Sequence, residues 1–259
     1  ETMTTSIILP VLVFFPFLGA VISYIIGRSN KGARDIWCWI LSAVIFIASL
    51  MLVGKETVYS LRGFCGLGLS FAADGFGVIL AVLTGAIWLI TTIFSKEYMA
   101  AERNRNRYYF FVFLTLGATM GIFLSADLFT TFIFFEIMSF TSFVLVMHDE
   151  EDFTVRSAKT YLAVAVIGGL VTLMGLFMMY QKAGTLNMTE LTAFMQSREN
   201  PAEFYAIGVL ILFGFAAKAG LFPLHIWLPN AYTVAPAPSS ALLSCPLPPS
   251  ITTKLGKSS

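Results

Sequence analysis

A chain of 259 residues that is 57% hydrophobic and only 12% charged, with a mean hydropathy of +0.81, reads as an integral membrane protein; a soluble domain is roughly 25% charged. The formal net charge of +1 offers no basic stripe to neutralise phosphates, which excludes nucleic acid as a partner. Three cysteines, Cys38, Cys65 and Cys245, stand far apart, too few for an iron–sulfur site or a disulfide framework.

A transmembrane helix needs about 20 mostly apolar residues, and that template recurs along the chain. No basic segment precedes the first apolar run as a signal peptide requires, and the start at Glu1 leaves room for residues upstream. The first span covers Ile7 to Ile26 and is followed by the basic turn Arg28, Lys31 and Arg34; the second covers Ile36 to Val53. Residues 54–73 read as a polar loop. Its glycines Gly63, Gly66 and Gly68 lack the helix that a phosphate-binding loop opens onto. The third span, Gly75 to Phe94, follows Asp74, a natural N-cap. A basic loop, Ser95 to Arg107, leads to span four, Tyr108 to Leu124, and the short turn at Asp127 returns the chain as span five, Leu128 to Met147.

After the acidic cluster Asp149 to Asp152 comes span six, Tyr161 to Tyr180, where Ala165 and Gly169 form a small-xxx-small pair suited to close helix approach. Met188, Leu191, Phe194 and Met195 mark one face of a short interfacial helix. Span seven begins near Phe204, carries Lys218 and is broken by Pro223, which removes a backbone donor. The loops after spans one, three and five hold nine Lys/Arg against four on the other side, which predicts an outside N-terminus.

Glu136 lies about 12 Å into span five and Lys218 about 21 Å into span seven at ~1.5 Å per residue. Ionisable groups at such depth are costly and mark functional sites by default. A buried carboxylate tends to protonate and a buried ammonium to deprotonate, whereas proximity restores both charges, so a Glu–Lys pair of variable separation is a proton switch. The bland alternative is a fixed structural ion pair, or that each meets a backbone carbonyl. His225, just past Pro223, is a relay candidate by its near-neutral titration, or a hydrogen-bonding residue at the break. Lys159 either hydrates at the start of span six or faces inward and joins the relay. His148 reads as a solvated interface residue, and Asp127 as a turn or cap residue.

The string KAGLFPLHIWLPNAYTVAPAPSSALLS resembles the signature of the proton-antiporter family: the antiporter-like subunits of respiratory complex I, of multisubunit sodium/proton antiporters and of membrane-bound hydrogenases. DLFTTFIFFEIMSFTSFVLV resembles that family's glutamate-bearing helix, and FAADGFGVILAVLTG its third span. The resemblance covers Ser70 to Ser244. It implies an all-α polytopic membrane protein of about seven transmembrane helices plus a truncated eighth, with a discontinuous seventh helix. It places Glu136 and Lys218 in a polar axis at the membrane midplane; His225 and Lys159 stay weaker relay candidates on the residues alone. Some family members carry histidine where this chain has Ser244, while branches nearer the hydrogenase and antiporter subunits carry serine.

On this reading residues 1–106 are helices one to three, 107–244 an incomplete first antiporter-type repeat, and 245–259 a divergent, proline-rich tail, so that the chain is the N-terminal portion of a longer protein. The expected function is translocation of protons, or exchange of protons and sodium, in a bacterial or archaeal cytoplasmic membrane, within a translocase such as NADH:quinone oxidoreductase or a membrane-bound hydrogenase. No cofactor is expected here: redox centres belong to partner membrane subunits. The alternative is a non-translocating membrane scaffold.

Overall fold

The structure is a computed structural model that describes residues 4–5, 7–61, 63, 68–100, 102, 104–148, 152–196, 202–221 and 227–244. Among the described residues, three strands, β1 (Thr4–Thr5), β2 (Thr57–Leu61) and β3 (Leu69–Ala73), accompany ten helices: α1 (Ile8–Ser29), α2 (Lys31–Leu50), α3 (Gly75–Tyr98), α4 (Arg105–Phe123), α5 (Leu128–Val146), α6 (Asp152–Ala183), α7 (Met188–Gln196), α8 (Ala202–Ala219), α9 (Trp227–Val234) and α10 (Ala237–Ser244). Among the described residues, α1, α2, α3, α5 and α6 are long and apolar enough to cross a membrane, and α8 is a shorter apolar helix. The all-α polytopic expectation therefore holds.

Of the long helices, α4 is the most enclosed, packed against α1, α3 and α5. Facing protein rather than lipid, it accommodates polar and small residues. Thr115 and Thr119 donate to the carbonyls of Phe111 and Thr115 in the preceding turn, while Gly117 and Gly121 admit the rings of Phe17 and Phe134. Aliphatic residues such as Ile36, Ile40, Ile47 and Ile90 instead point outward, as a lipid-facing surface requires.

Residues 54–73, expected as a loop, contain an antiparallel pair, β2 with β3, in register from Thr57 opposite Ala73 to Leu61 opposite Leu69. The physical reason is the period-two pattern of LSFAA, which buries Leu69, Phe71 and Ala73 and leaves Ser70 and Ala72 half-buried. Phe71 packs between Phe14 and Phe134 at centroid distances of 6.2 and 5.8 Å, so the hairpin closes one end of the bundle.

Helix starts follow their caps. Asn30 Oδ1 accepts from Gly32 and Ala33 at 2.9 and 3.1 Å, which makes the α1–α2 turn a single residue. Asp74 accepts from Gly77 at 2.9 Å. Asp127 caps α5 through the Thr130 amide at 2.6 Å, and its second oxygen takes the Thr130 hydroxyl and the Ser70 amide, tying β3 to α5. Burial pushes the Asp127 carboxyl above the usual carboxylate range, against the opposing hydrogen bonds from Thr130 and Ser70. Asp127→Ala is expected to cost about 2 kcal/mol, the upper end for a lost cap, because Thr130 and Ser70 lose an acceptor together. Thermal unfolding of the full-length protein in detergent checks this, with Asp127→Asn retaining most of the stability.

Helix α6 begins at Asp152, well before the expected Tyr161. Its first turns are polar and stand beyond the apolar span, and the acidic Asp152 suits a helix N-terminus. The turns after α1, α3 and α5 share one end of the bundle: Arg105 reaches Asp35 at 3.2 Å and Arg107 the His148 carbonyl at 2.9 Å. The opposite end joins the hairpin, the 125–127 turn and the α6–α7 turn, through Ala126 N to Ser70 O at 2.9 Å and Leu128 N to Leu186 O at 3.0 Å.

Candidate functional site

Glu136 sits midway along α5, and Lys218 occupies the last turn of α8. The fold brings them together: Lys218 Nζ donates to Glu136 Oε1 in an ion pair. The lysine side chain is 4% exposed and that of Glu136 22%. Lys218 Nζ also lies 4.8 Å from the centroid of the Phe135 ring, itself held edge-on against Phe215 at 4.9 Å. The cation is thus held between an anion and an aromatic face.

Helix α8 stops for a reason other than the proline expected to break it. Gly220 adopts a left-handed φ of 68°. Leu221 N bonds Ala216 O at 3.0 Å and Gly220 N bonds Ala217 O at 3.4 Å, the Schellman arrangement that ends helices at glycine. Trp227 Nε1, from α9, donates to the same Ala217 carbonyl at 3.0 Å across the break. Lys218 therefore stands where the carbonyl ends of α8 concentrate negative potential, which favours a cation. Pro223 and His225 lie outside the described residues.

Helix α6 supplies the third wall. A side chain on Gly169 would overlap the Glu136 carboxylate, and a Cβ on Gly168 would stand 2.8 Å from the Gly214 carbonyl and 3.2 Å from Ala217 Cβ. Two adjacent glycines thus let α6 touch α5 through one and α8 through the other. The expected small pair, Ala165 and Gly169, names only part of this seam, which continues through Thr172 and Gly175. From Ala217 a further contact chain runs through Trp227, whose ring lies 4.7 Å from Tyr161, to the Tyr161 hydroxyl, 2.7 Å from Ser142 Oγ on α5.

Lys159 is exposed on α6 and forms no ion pair among the described residues. His148 departs from the solvated reading: it is buried, with its ring 5.8 Å from Tyr108 in an edge-on contact. Tyr161, Ser142 and Trp227 escape sequence reasoning, because single hydroxyl and aromatic residues in apolar helices carry no spacing that singles them out.

Fold and site together define a polytopic membrane protein with an intramembrane Glu–Lys pair at the end of an interrupted helix. Residues 125–254 match the transmembrane family NADH:quinone oxidoreductase/Mrp antiporter, and the chain belongs to that family. It is 32% identical over 247 residues to a Na(+)/H(+) antiporter subunit from Bacillus subtilis (strain 168), covering 93% of this chain and 49% of that protein. The chain therefore spans about half the length of the curated relatives it matches. Among solved structures, one chain of the membrane-bound sulfane sulfur reductase, an archaeal respiratory membrane complex, superposes with a TM-score of 0.83 at 22% identity, over 93% of this chain and 52% of that one. A chain of the Mrp complex from Dietzia sp. DQ12-45-1b gives a TM-score of 0.83 at 24% identity, over 91% of this chain and 26% of that one. At these identities the two structures bear on the fold alone.

Proposed function

We propose that this chain is the N-terminal part of a cation-translocating membrane subunit in which Glu136 and Lys218 act as a proton switch. The observation that carries the reading is the ion pair itself, a buried lysine on a partly exposed glutamate between α5, α6 and α8 where α8 is interrupted. In contact both groups are ionised; separated in an apolar setting, the carboxylate gains a proton or the ammonium loses one. A motion of the α8 end relative to α5 then loads or releases a proton. His225 and Lys159 are weaker members of the relay, and Lys159 would reach it only from the exposed face of α6. Sodium, exchanged for protons, is the counter-transported ion suggested by the name of the Bacillus subtilis relative.

The remaining expectations are proposals of the same kind. Other membrane subunits complete the assembly, and any redox centres reside in them. The basic turns after α1, α3 and α5 face the cytoplasm, with the N-terminus and hairpin outside, supported by the excess of Lys/Arg at that end. Residues 107–244 form an incomplete first repeat behind the helices of residues 1–106.

Gly169→Ala in the full-length subunit, assembled with its partners in everted vesicles, tests the reading. The added methyl displaces the Glu136 carboxylate while leaving both charges in place, and exchange is expected to fall about 10- to 100-fold, as for a small misplacement of a reacting group. Unchanged exchange with normal assembly would instead favour a scaffold.

A further inference from the structure

We infer that the end of the bundle carrying the basic turns holds a binding site for the phosphodiester headgroup of an anionic phospholipid, with an acyl chain running along the exposed face of α1. An open cavity of about 850 Å³ lies there between α1, α2 and α4. Among the described residues its lining includes the cations of Arg28, Lys31, Arg34, Arg105 and Arg107 and the carboxylate of Glu102. Among the described residues, Asp35 accepts from Arg34 at 2.7 Å and from Arg105 at 3.2 Å. Arg28 and Lys31 are exposed and form no ion pair among the described residues. Among the described residues, five cations thus stand against two carboxylates.

The floor of this cavity is built rather than incidental. Arg34 is fully buried. It is held by Asp35, by the Asn106 side chain and by the Tyr109 ring 4.7 Å from its guanidinium carbon. Gly27 makes room for this packing, since a Cβ there would overlap Asn106 and press on Arg34. Arg34 thus shapes the floor, while the exposed Arg28 and Lys31 are the cations a phosphate can reach.

Depth and surroundings select a lipid over a soluble anion. Helix α1 has 22 residues, about 33 Å at ~1.5 Å per residue, close to the ~30 Å hydrocarbon thickness. Arg28, in its last turn, accordingly lies at headgroup level. Below it Leu18, Val21, Ile22 and Ile25 form an exposed aliphatic stripe at helical spacing. Tyr24 packs on Phe110 at 5.8 Å at the cavity rim, and aromatic rings favour that interfacial depth. A free phosphate has no use for the stripe, whereas a phospholipid occupies cavity and stripe at once. Basic pockets at helix ends on the cytoplasmic side bind anionic headgroups on the same principle.

This site is separate from the Glu136–Lys218 pair, and its test reads binding rather than transport. The full-length subunit, purified within its complex, is exposed to vesicles containing equal amounts of phosphatidylglycerol and phosphatidylcholine, and retained lipid is counted by native mass spectrometry. Phosphatidylglycerol is expected to be retained in preference, and Arg28→Gln with Lys31→Gln, both exposed and so tolerated by the fold, to weaken retention about fivefold for each charge removed. Inorganic phosphate added in excess is expected not to displace it. Equal retention of both lipids, wild-type retention by the double variant, or displacement by phosphate alone would overturn the proposal. So would absence of the lipid from the complex together with crosslinking of position 28 to an acidic segment of a neighbouring subunit.

Discussion

Glu136→Gln in the full-length subunit is expected to abolish coupled cation exchange while leaving membrane insertion and assembly intact. Glutamine has nearly the shape of glutamate, and its amide oxygen still accepts from the Lys218 ammonium, so the contact between α5 and α8 persists. The amide cannot take up a proton at any physiological pH. If Glu136 only ties two helices together, glutamine does so almost as well, and exchange continues. If it carries a proton, exchange stops with the structure unchanged. Exchange measured by a pH-sensitive dye in everted vesicles, normalised to the amount of assembled complex, separates the two results. Glu136→Asp, which retains a titratable group with a shorter reach, is expected to keep a measurable fraction of the rate.

Lys218→Met is the second large effect, and it falls on stability as well as transport. Removing one partner of a buried ion pair leaves the other charge without compensation, at a cost of about 3–5 kcal/mol. The Glu136 side chain is 22% exposed, which places the expected loss toward the lower end of that range. Glutamine at 136 in the same chain removes the stranded charge, so Glu136→Gln/Lys218→Met is expected to recover most of the stability but none of the transport. Thermal unfolding of the two single variants and the double variant in one detergent gives the coupling directly. A Lys218→Met protein as stable as the parent would mean that Glu136 and Lys218 do not depend on each other.

Much of this arrangement is legible in the sequence because a membrane makes charge conspicuous. Glu136 in FTTFIFFEIMSF and Lys218 in FGFAAKAG stand out as ionisable groups in apolar runs, and only their pairing needs three dimensions. Depths of about 12 and 21 Å are compatible with a pair if span seven starts later or tilts, and since α8 starts at Ala202 a later start is not what brings them together. In the structure α8 ends at Ala219, so Lys218 belongs to a helix end rather than to a helix middle. The cause of that ending is less accessible. Pro223 is the conspicuous breaker in the sequence, yet the left-handed Gly220 already terminates α8, and one glycine among many apolar residues does not announce its φ.

The seam on α6 shows a related limit. Gly168 and Gly169 are adjacent, and spacing rules for helix pairs look three or four residues away. Because neighbouring residues point about 100° apart, the two glycines serve different partners, Gly169 facing the Glu136 carboxylate and Gly168 the backbone of α8. The β2–β3 hairpin is hidden because its strands are five residues each, within a glycine-containing stretch that reads as irregular. His148 misleads for the opposite reason: the acids after it suggest water, while its own ring packs against Tyr108.

During turnover a proton is expected to move on and off the Glu136–Lys218 pair. Difference infrared spectroscopy of the full-length complex in a bilayer, recorded before and after an ion gradient is imposed, reads the protonation of a buried carboxyl directly. A switch at this pair predicts a protonated-carboxyl carbonyl band that appears or vanishes with the gradient, shifts in deuterium oxide and is missing from Glu136→Gln. A Glu136 that stays ionised in both states, in a complex that exchanges cations at the parent rate, would contradict it.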